Sequence, residues 1–441
     1  MAFLTSSDKA LWHLALPMIF SNITVPLLGL VDTAVIGHLD SPVYLGGVAG
    51  GATATSFLFM LLLFLRMSTT GLTAQAYGAK NPQALARALV QPLLLALGAG
   101  ALIALLRTPI IDLALHIVGG SEAVLEQARR FLEIRWLSAP ASLANLVLLG
   151  WLLGVQYARA PVILLVVGNI LNIVLDVWLV MGLHMNVQGA ALATVIAEYA
   201  TLLIGLLMVR KILKLRGISG EILKTAWRGN FRRLLALNRD IMLRSLLLQL
   251  CFGAITVLGA RLGSDIIAVN AVLMTLLTFT AYALDGFAYA VEAHSGQAYG
   301  ARDGSQLLDV WRAACRQSGI VAVMFSVVYL LAGEHIIALL TSLTQIQQLA
   351  DRYLIWQVIL PLVGVWCYLL DGMFIGATRA AEMRNSMAVA AAGFALTLLT
   401  LPWLGNHGLW LALTVFLALR GLSLAAIWRR HWRNGTWFAA T

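Results

Sequence analysis

The chain has 441 residues, 60% of them hydrophobic and 11% charged, whereas an ordinary soluble domain carries roughly 25% charged residues. That balance excludes a water-soluble fold, which has no place for so much apolar surface. The net charge of +10 does not signal nucleic-acid binding, because the cations are scattered over short loops rather than gathered on one basic face.

Apolar stretches of about 20 residues, long enough to cross a hydrocarbon core of roughly 30 Å, follow one another along the chain. They predict an all-α integral membrane protein with 12 transmembrane helices. The first six fall at residues 11–36, 44–70, 88–106, 131–154, 162–181 and 188–209. The second six fall at 241–259, 266–296, 313–331, 354–376, 387–401 and 409–428. The first stretch is longer than a signal-peptide core and no cleavage site follows it, so it is expected to remain in the mature protein.

Between the sixth and seventh stretches lies a basic segment with Arg210, Lys211, Lys214, Arg216, Lys224, Arg228, Arg232, Arg233 and Arg239. Lys and Arg are retained in cytoplasmic loops. Counting loop by loop puts about 21 cations on one side and about six on the other, which predicts both termini in the cytoplasm. The predicted organisation is an N-lobe at 1–210, a basic cytoplasmic linker at 211–238 and a C-lobe at 239–441.

The two lobes repeat one another. Gln75, Ala76, Tyr77, Gly78 and Ala79 recur as Gln297, Ala298, Tyr299, Gly300 and Ala301, each run followed by a basic residue, Lys80 or Arg302. The same offset pairs Val35 and Gly37 with Val257 and Gly259, Gly150 with Gly372, Gly154 with Gly376, and Ala158 with Ala380. Each half has an even number of spans, so the repeats are parallel and related by an axis along the membrane normal. Two such bundles rocking about a central cavity favour alternating access over a pore. The GxxxG pairs Gly46/Gly50, Gly47/Gly51, Gly150/Gly154 and Gly372/Gly376 are expected to bring helix backbones close together.

Ionisable groups at membrane depth are costly and mark candidate sites. Asp32 follows Pro26, whose missing N–H and ring permit a kink in the first span. Asn169, Asn172 and Asp176 share one face of the fifth span, and Thr194 and Glu198 are one turn apart on the sixth. Together these carboxylates, amides and hydroxyl form a set able to bind a proton or a hard cation such as Na⁺. Their alternative is interhelical glue.

On the eighth span Tyr282, Asp285, Tyr289 and Glu292 form a stripe, and Asp371 lies on the tenth. Aromatic faces beside acidic groups suit an amphipathic cation, although Glu292 alternatively faces loop water. Under the repeat offset Asp32, Asp176, Asp285 and Asp371 match Ala254, Leu398, Leu63 and Leu149, so the scaffold is shared but the acidic groups are not.

His294 reads as a boundary residue or a proton shuttle. Trp12, Trp136, Trp151, Trp403 and Trp410 read as interfacial anchors. Cys251, Cys315 and Cys367 form no CxxC pair and no His cluster accompanies them, so neither a disulfide framework nor a metal or other cofactor is predicted. Neither HExxH nor GxSxG occurs, which argues against a membrane-embedded hydrolase.

The Pro26–Asp32 segment, the Asn172–Asp176 element, the repeated QAYGA and the run DGMFIGATR from Asp371 to Arg379 together resemble the multidrug and toxic compound extrusion (MATE) family. Within it they resemble the DNA-damage-inducible F-type (DinF) branch, and the resemblance covers essentially the whole chain. It implies a secondary antiporter of the bacterial inner membrane, a monomer, that expels hydrophobic, often cationic or zwitterionic compounds in exchange for H⁺ or Na⁺. It also implies that Asp32, Asn172, Asp176 and Thr194 form the ion-coupling site and that protonation of Asp32 bends the first helix at Pro26. Where the Na⁺-coupled branch often has an acidic residue in the seventh span this chain has Gln249, which favours protons. A lipid-linked oligosaccharide flippase is the nearest rival; its cavity would carry several cations, whereas Arg66, Arg244 and Arg420 are placed near cytoplasmic ends and the membrane-depth charges are mostly acidic.

Overall fold

The computed structural model describes residues 5–37, 39, 41–229 and 231–439, apart from the side chains of residues 25–34 and 118. The Pro26 and Asp32 side chains therefore lie outside the described residues, although both positions belong to a continuous helix, α1 (Ser6–Ile36).

Helices follow in order: α2 (Pro42–Leu61), α3 (Phe64–Gly78), α4 (Pro82–Leu105), α5 (Arg107–Val118), α6 (Glu122–Arg135), α7 (Ala139–Gly154), α8 (Arg159–Asp176), α9 (Asn186–Leu215) and α10 (Gly220–Thr225). Then come α11 (Phe231–Arg261), α12 (Ser264–Gly300), α13 (Gly304–Leu340), α14 (Thr344–Gly376), α15 (Ala380–Thr397), α16 (Leu401–Leu404) and α17 (Asn406–Asn434). Eleven helical stretches among the described residues are long and apolar enough to cross a bilayer. With the 31-residue α1 they account for the spans expected from the sequence.

The chain folds into two compact units. One is residues 24–234; the other is residues 235–441 together with residues 1–23. The opening of α1, which the sequence assigns to the first lobe, thus packs with the second unit. Gly286 of α12 makes this possible: a side chain there would run into Ile19 and lie 3.1 Å from the Ala15 carbonyl oxygen. Trp12 packs edge-on against Phe287, its indole N–H donates to Gln317 at 3.0 Å, and Asn22 donates to the Tyr282 carbonyl.

Each unit is held by the same kind of close helix contact. A Cβ added at Gly150 or Gly154 of α7 would come within 2.6 Å of the Arg66 carbonyl oxygen or the Thr73 Cβ of α3. The matching positions on α14 do the same against α12: a Cβ added at Gly372 would lie 2.7 Å from the Ala288 carbonyl oxygen, and one at Gly376 2.5 Å from Ser295 Oγ. Van der Waals contact of this kind, rather than hydrophobic exclusion, drives association in lipid. Gly47 and Gly51 likewise seat α2 on α6, while Gly50 faces open space.

The repeat extends to the turns. After each QAYGA run a basic residue adopts a left-handed conformation, Lys80 at φ 53° and Arg302 at φ 55°. The following Asn81 or Asp303 then caps the next helix, accepting from the backbone N–H of Ala84 or Gln306. Left-handed backbone costs a non-glycine residue roughly 1–2 kcal/mol, so its recurrence at matched positions reflects a built turn.

Three of the expected tryptophan anchors are corrected. Trp136, Trp151 and Trp410 are at most 1% exposed, and their indole N–H groups donate to Thr55, the Leu85 carbonyl and Asn270. A buried indole needs an acceptor, and each finds one inside the bundle. Trp403 is 80% exposed, as an anchor requires.

Candidate functional site

In the unit of residues 24–234, α8 is two-faced. Ile170 and Val174, with Val177 and Trp178 just beyond its end, are exposed and form its apolar outer side, whereas Asn172 and Asp176 are buried. Residues three and four apart share a helix face, which is why that spacing turns both polar groups inward. On α9 the Thr194 hydroxyl lies 3.4 Å from Asn172 Oδ1 and 3.2 Å from the Ala190 carbonyl. Asn172 Nδ2 is buried with no hydrogen-bond partner among the described residues. An amide and a hydroxyl therefore meet away from solvent, one helical turn from the buried Asp176, with an amide donor left to serve an acceptor.

Immediately after Asp176 the helix widens into a π-helical turn, residues Val177–Gly182. The Leu183 N–H reaches the Trp178 carbonyl, five residues back. Turns of this kind recur at functional sites because they re-aim neighbouring side chains. Gly189 at the start of α9 lies against this turn, where an added Cβ would come 3.1 Å from the Leu179 carbonyl oxygen.

Glu198, one turn beyond Thr194, is engaged elsewhere. Its Oε2 accepts from Asn145 Nδ2 of α7 at 3.1 Å and its Oε1 lies 4.0 Å from Arg135 of α6.

In the second unit Glu292 is buried, 3% exposed, rather than facing loop water. Tyr282, Asp285 and Tyr289 are half-buried on the same helix. His294 bonds the Ala10 carbonyl of α1 at 3.1 Å. Asp371 is committed to two cations. Its Oδ2 accepts from Arg244 of α11 at 2.6 Å and from Arg420 of α17, both guanidiniums being more than nine-tenths buried. Asp371, singled out with the stripe as an acidic group suited to a cationic compound, is thus paired with two cations of the chain itself. Arg244 and Arg420, placed by sequence near cytoplasmic ends, are those cations. Among the described residues no group of three His, Cys, Asp or Glu side chains is placed to hold a metal.

The MatE family model matches the chain twice, over residues 17–178 and 241–404, once in each half of the repeat. The chain belongs to the MatE family. It is 98% identical to DNA damage-inducible protein F of Escherichia coli (strain K12), over all of this chain and 96% of that one, which places it in the DinF branch. More distant MatE relatives include DETOXIFICATION 44, chloroplastic, of Arabidopsis thaliana, 26% identical over 96% of this chain and 82% of that one. A probable multidrug resistance protein NorM of Acinetobacter baylyi is 23% identical over 95% of this chain and 94% of that one.

Among solved structures a variant of the MATE transporter VcmN of Vibrio cholerae superposes with a TM-score of 0.86 at 20% identity, covering 99% of each chain. A MOP superfamily transporter from Pyrococcus furiosus gives 0.81 at 21%, over 99% of this chain and 98% of that one. At that identity the likeness speaks to the fold, which is that of MATE transporters.

This MatE protein is thus a multi-pass membrane protein of a transporter family. Sequence reasoning missed the π-helical turn and the partners Asn145, Arg244 and Arg420. A signal for two of these partners was present: an Arg within an apolar span seeks an acidic counter-ion at the same depth, and Asp371 was already singled out.

Proposed function

We propose that this MatE protein is a secondary antiporter that exports hydrophobic or amphipathic, often cationic compounds in exchange for H⁺ by alternating access. The observation that carries the reading is the buried meeting of Asn172 and Thr194, one helical turn from the buried Asp176. A carboxylate withdrawn from water gains or loses a proton at the cost of a local rearrangement, and neighbouring amide and hydroxyl groups re-satisfy whichever form is present. Asp32 completes this coupling site on α1, with Pro26 as the hinge. The helix belongs to one unit up to Ile23 and to the other from Thr24, so a bend in that region acts on both.

The α12 stripe of Tyr282, Asp285, Tyr289 and Glu292 supplies the substrate-facing aromatic and acidic groups, and Asp371 supports it through its ion pairs. Glu198 contributes by holding α9 to α6 and α7. The flippase reading needs uncommitted cations, and Arg244 and Arg420 are already bonded to Asp371. The excess of Lys and Arg in alternate loops supports both termini in the cytoplasm, in the bacterial inner membrane. The relatives named multidrug resistance proteins support the substrate class.

Liposomes carrying the purified protein test the coupling ion. An imposed pH gradient is expected to drive uptake of a lipophilic cation such as ethidium, and a Na⁺ gradient alone is not. Uptake driven only by Na⁺ would overturn the proton assignment.

A further inference from the structure

The motifs QAYGA and DGMFIGATR carry residues that the coupling site does not use. In the second unit both end on one feature, the chain segment that leaves α17. Arg379, the last residue of DGMFIGATR, is 3% exposed. One of its terminal nitrogens donates to the carbonyls of Thr436 at 2.9 Å, Trp437 at 2.9 Å and Ala439 at 3.3 Å. The other donates to Glu382 at 2.9 Å, which also bonds His431 of α17.

Trp437 is 1% exposed. It is seated edge-on against Phe374 and Tyr299, with the Arg379 guanidinium 5.0 Å from its ring centre. Tyr299, from QAYGA, packs against Phe438 at 5.5 Å and donates its hydroxyl to the Ala439 carbonyl at 3.3 Å.

The other unit has a counterpart. Tyr77, the matching QAYGA tyrosine, carries the guanidinium of Arg216 at 4.3 Å, and Arg216 lies where the chain leaves α9. Ile218 just beyond is buried in a cluster that includes Tyr77 and the α10 residues Ile222 and Leu223. Both exits turn the same way. Gly217 at φ 69° precedes an Ile218 N–H bonded to the Leu213 carbonyl, and Gly435 at φ 66° precedes a Thr436 N–H bonded to the His431 carbonyl.

We propose that the two QAYGA tyrosines are docking posts for the chain that leaves the sixth helix of each half, and that residues 435–439 form a strap whose seat is Arg379 and Tyr299. The strap joins the end of α12 (Tyr299), the α14–α15 turn (Phe374, Arg379, Glu382) and the end of α17 (His431), so that this end of the second unit moves as one body. Three carbonyls on one buried guanidinium are a specific arrangement. An apolar tail packed for hydrophobic burial alone would not need a charged, forked donor at its centre.

The test is chymotrypsin treatment of the folded protein in lipid, read by intact mass for loss of the residues beyond Trp437 or Phe438. The seated strap resists cleavage, because its carbonyls are held and Trp437 is buried. Arg379→Gln is expected to speed that cleavage at least about tenfold, since proteolysis follows the open population. Arg379→Lys keeps the charge but not the fork and should fall between. Tyr299→Phe, which removes only the hydroxyl, guards against a folding failure and should speed cleavage about twofold to fivefold, the loss of one modest hydrogen bond. Deletion of residues 435–441 should lower both the unfolding temperature and efflux. Cleavage as fast in the parent as in Arg379→Gln, or a deletion that leaves unfolding temperature and efflux unchanged, overturns the proposal.

Discussion

The Thr194 hydroxyl on α9 reaches the side-chain oxygen of Asn172 on α8 across 3.4 Å, inside a region closed to solvent. Thr194→Val keeps the shape and removes that donor. One hydrogen bond of this kind is worth about 1 kcal/mol, so proton-driven efflux should fall about fivefold while the unfolding temperature changes little. Efflux assays on membranes with matched protein levels check this.

Arg420 and Arg244 share one carboxylate oxygen of Asp371. Removing one partner of a buried ion pair leaves an uncompensated charge and costs about 3–5 kcal/mol. Asp371→Leu leaves both buried guanidiniums without their carboxylate and should therefore lower the unfolding temperature sharply, and Arg420→Leu added to it should recover part of the loss. Thermal unfolding in detergent reads both; no recovery in the double variant would mean that Arg420 acts through something other than Asp371.

Close helix packing makes opposite forecasts at two glycines. At Gly376 an added Cβ would sit 2.5 Å from Ser295 Oγ and 2.8 Å from the Gly296 backbone nitrogen, so Gly376→Ala should destabilise by about 1–3 kcal/mol through overpacking. At Gly50 nothing lies within 4 Å, so Gly50→Ala should be neutral or stabilise by up to about 1 kcal/mol through helix propensity. Unfolding temperatures of the two single variants decide.

Asp8 precedes the first predicted span. Burial presses its pKa upward, but the Thr5 backbone N–H, the Arg316 guanidinium and the Thr5 hydroxyl outweigh that effect and leave it below the ordinary value. A carboxyl lowered in this way contributes stability that is fully present above the ordinary carboxylate range, and the contribution is lost as pH falls through the folded pKa. The ion pair to Arg316, 3.1 Å long, should therefore weaken as pH falls through that lowered pKa. Asp8→Asn should lower the unfolding temperature at pH 6 and flatten its decline from pH 5 to 3; parallel curves for parent and variant would count against the ion pair.

Much of this was legible in the chain because lipid simplifies the code. Apolar length marks spans, and glycine spacing marks contacts such as Gly154 on Thr73. The face shared by Asn172 and Asp176 follows from helix periodicity alone. What was not legible depends on partners remote in sequence. Asp371 finds Arg420 49 residues away and Arg244 127 residues away, and no periodicity reports such a meeting. The buried tryptophans misled for the same reason, since a Trp near a span end serves lipid or core depending on whether an acceptor such as Thr55 or Asn270 lies opposite. The π-helical turn after Asp176 leaves no mark in composition at all. The packing of residues 1–23 on α12 depends on Gly286, a single glycine with no GxxxG partner to announce it.

Substrate uptake into liposomes with an imposed pH gradient, compared between the parent and Asp176→Asn, bears most directly on the coupling role of the first unit. The substitution keeps size and hydrogen-bonding capacity but cannot exchange a proton. The parent is expected to accumulate substrate against its gradient, and correctly folded Asp176→Asn is not. Accumulation by the variant at the parental rate and to the parental level would contradict that coupling role.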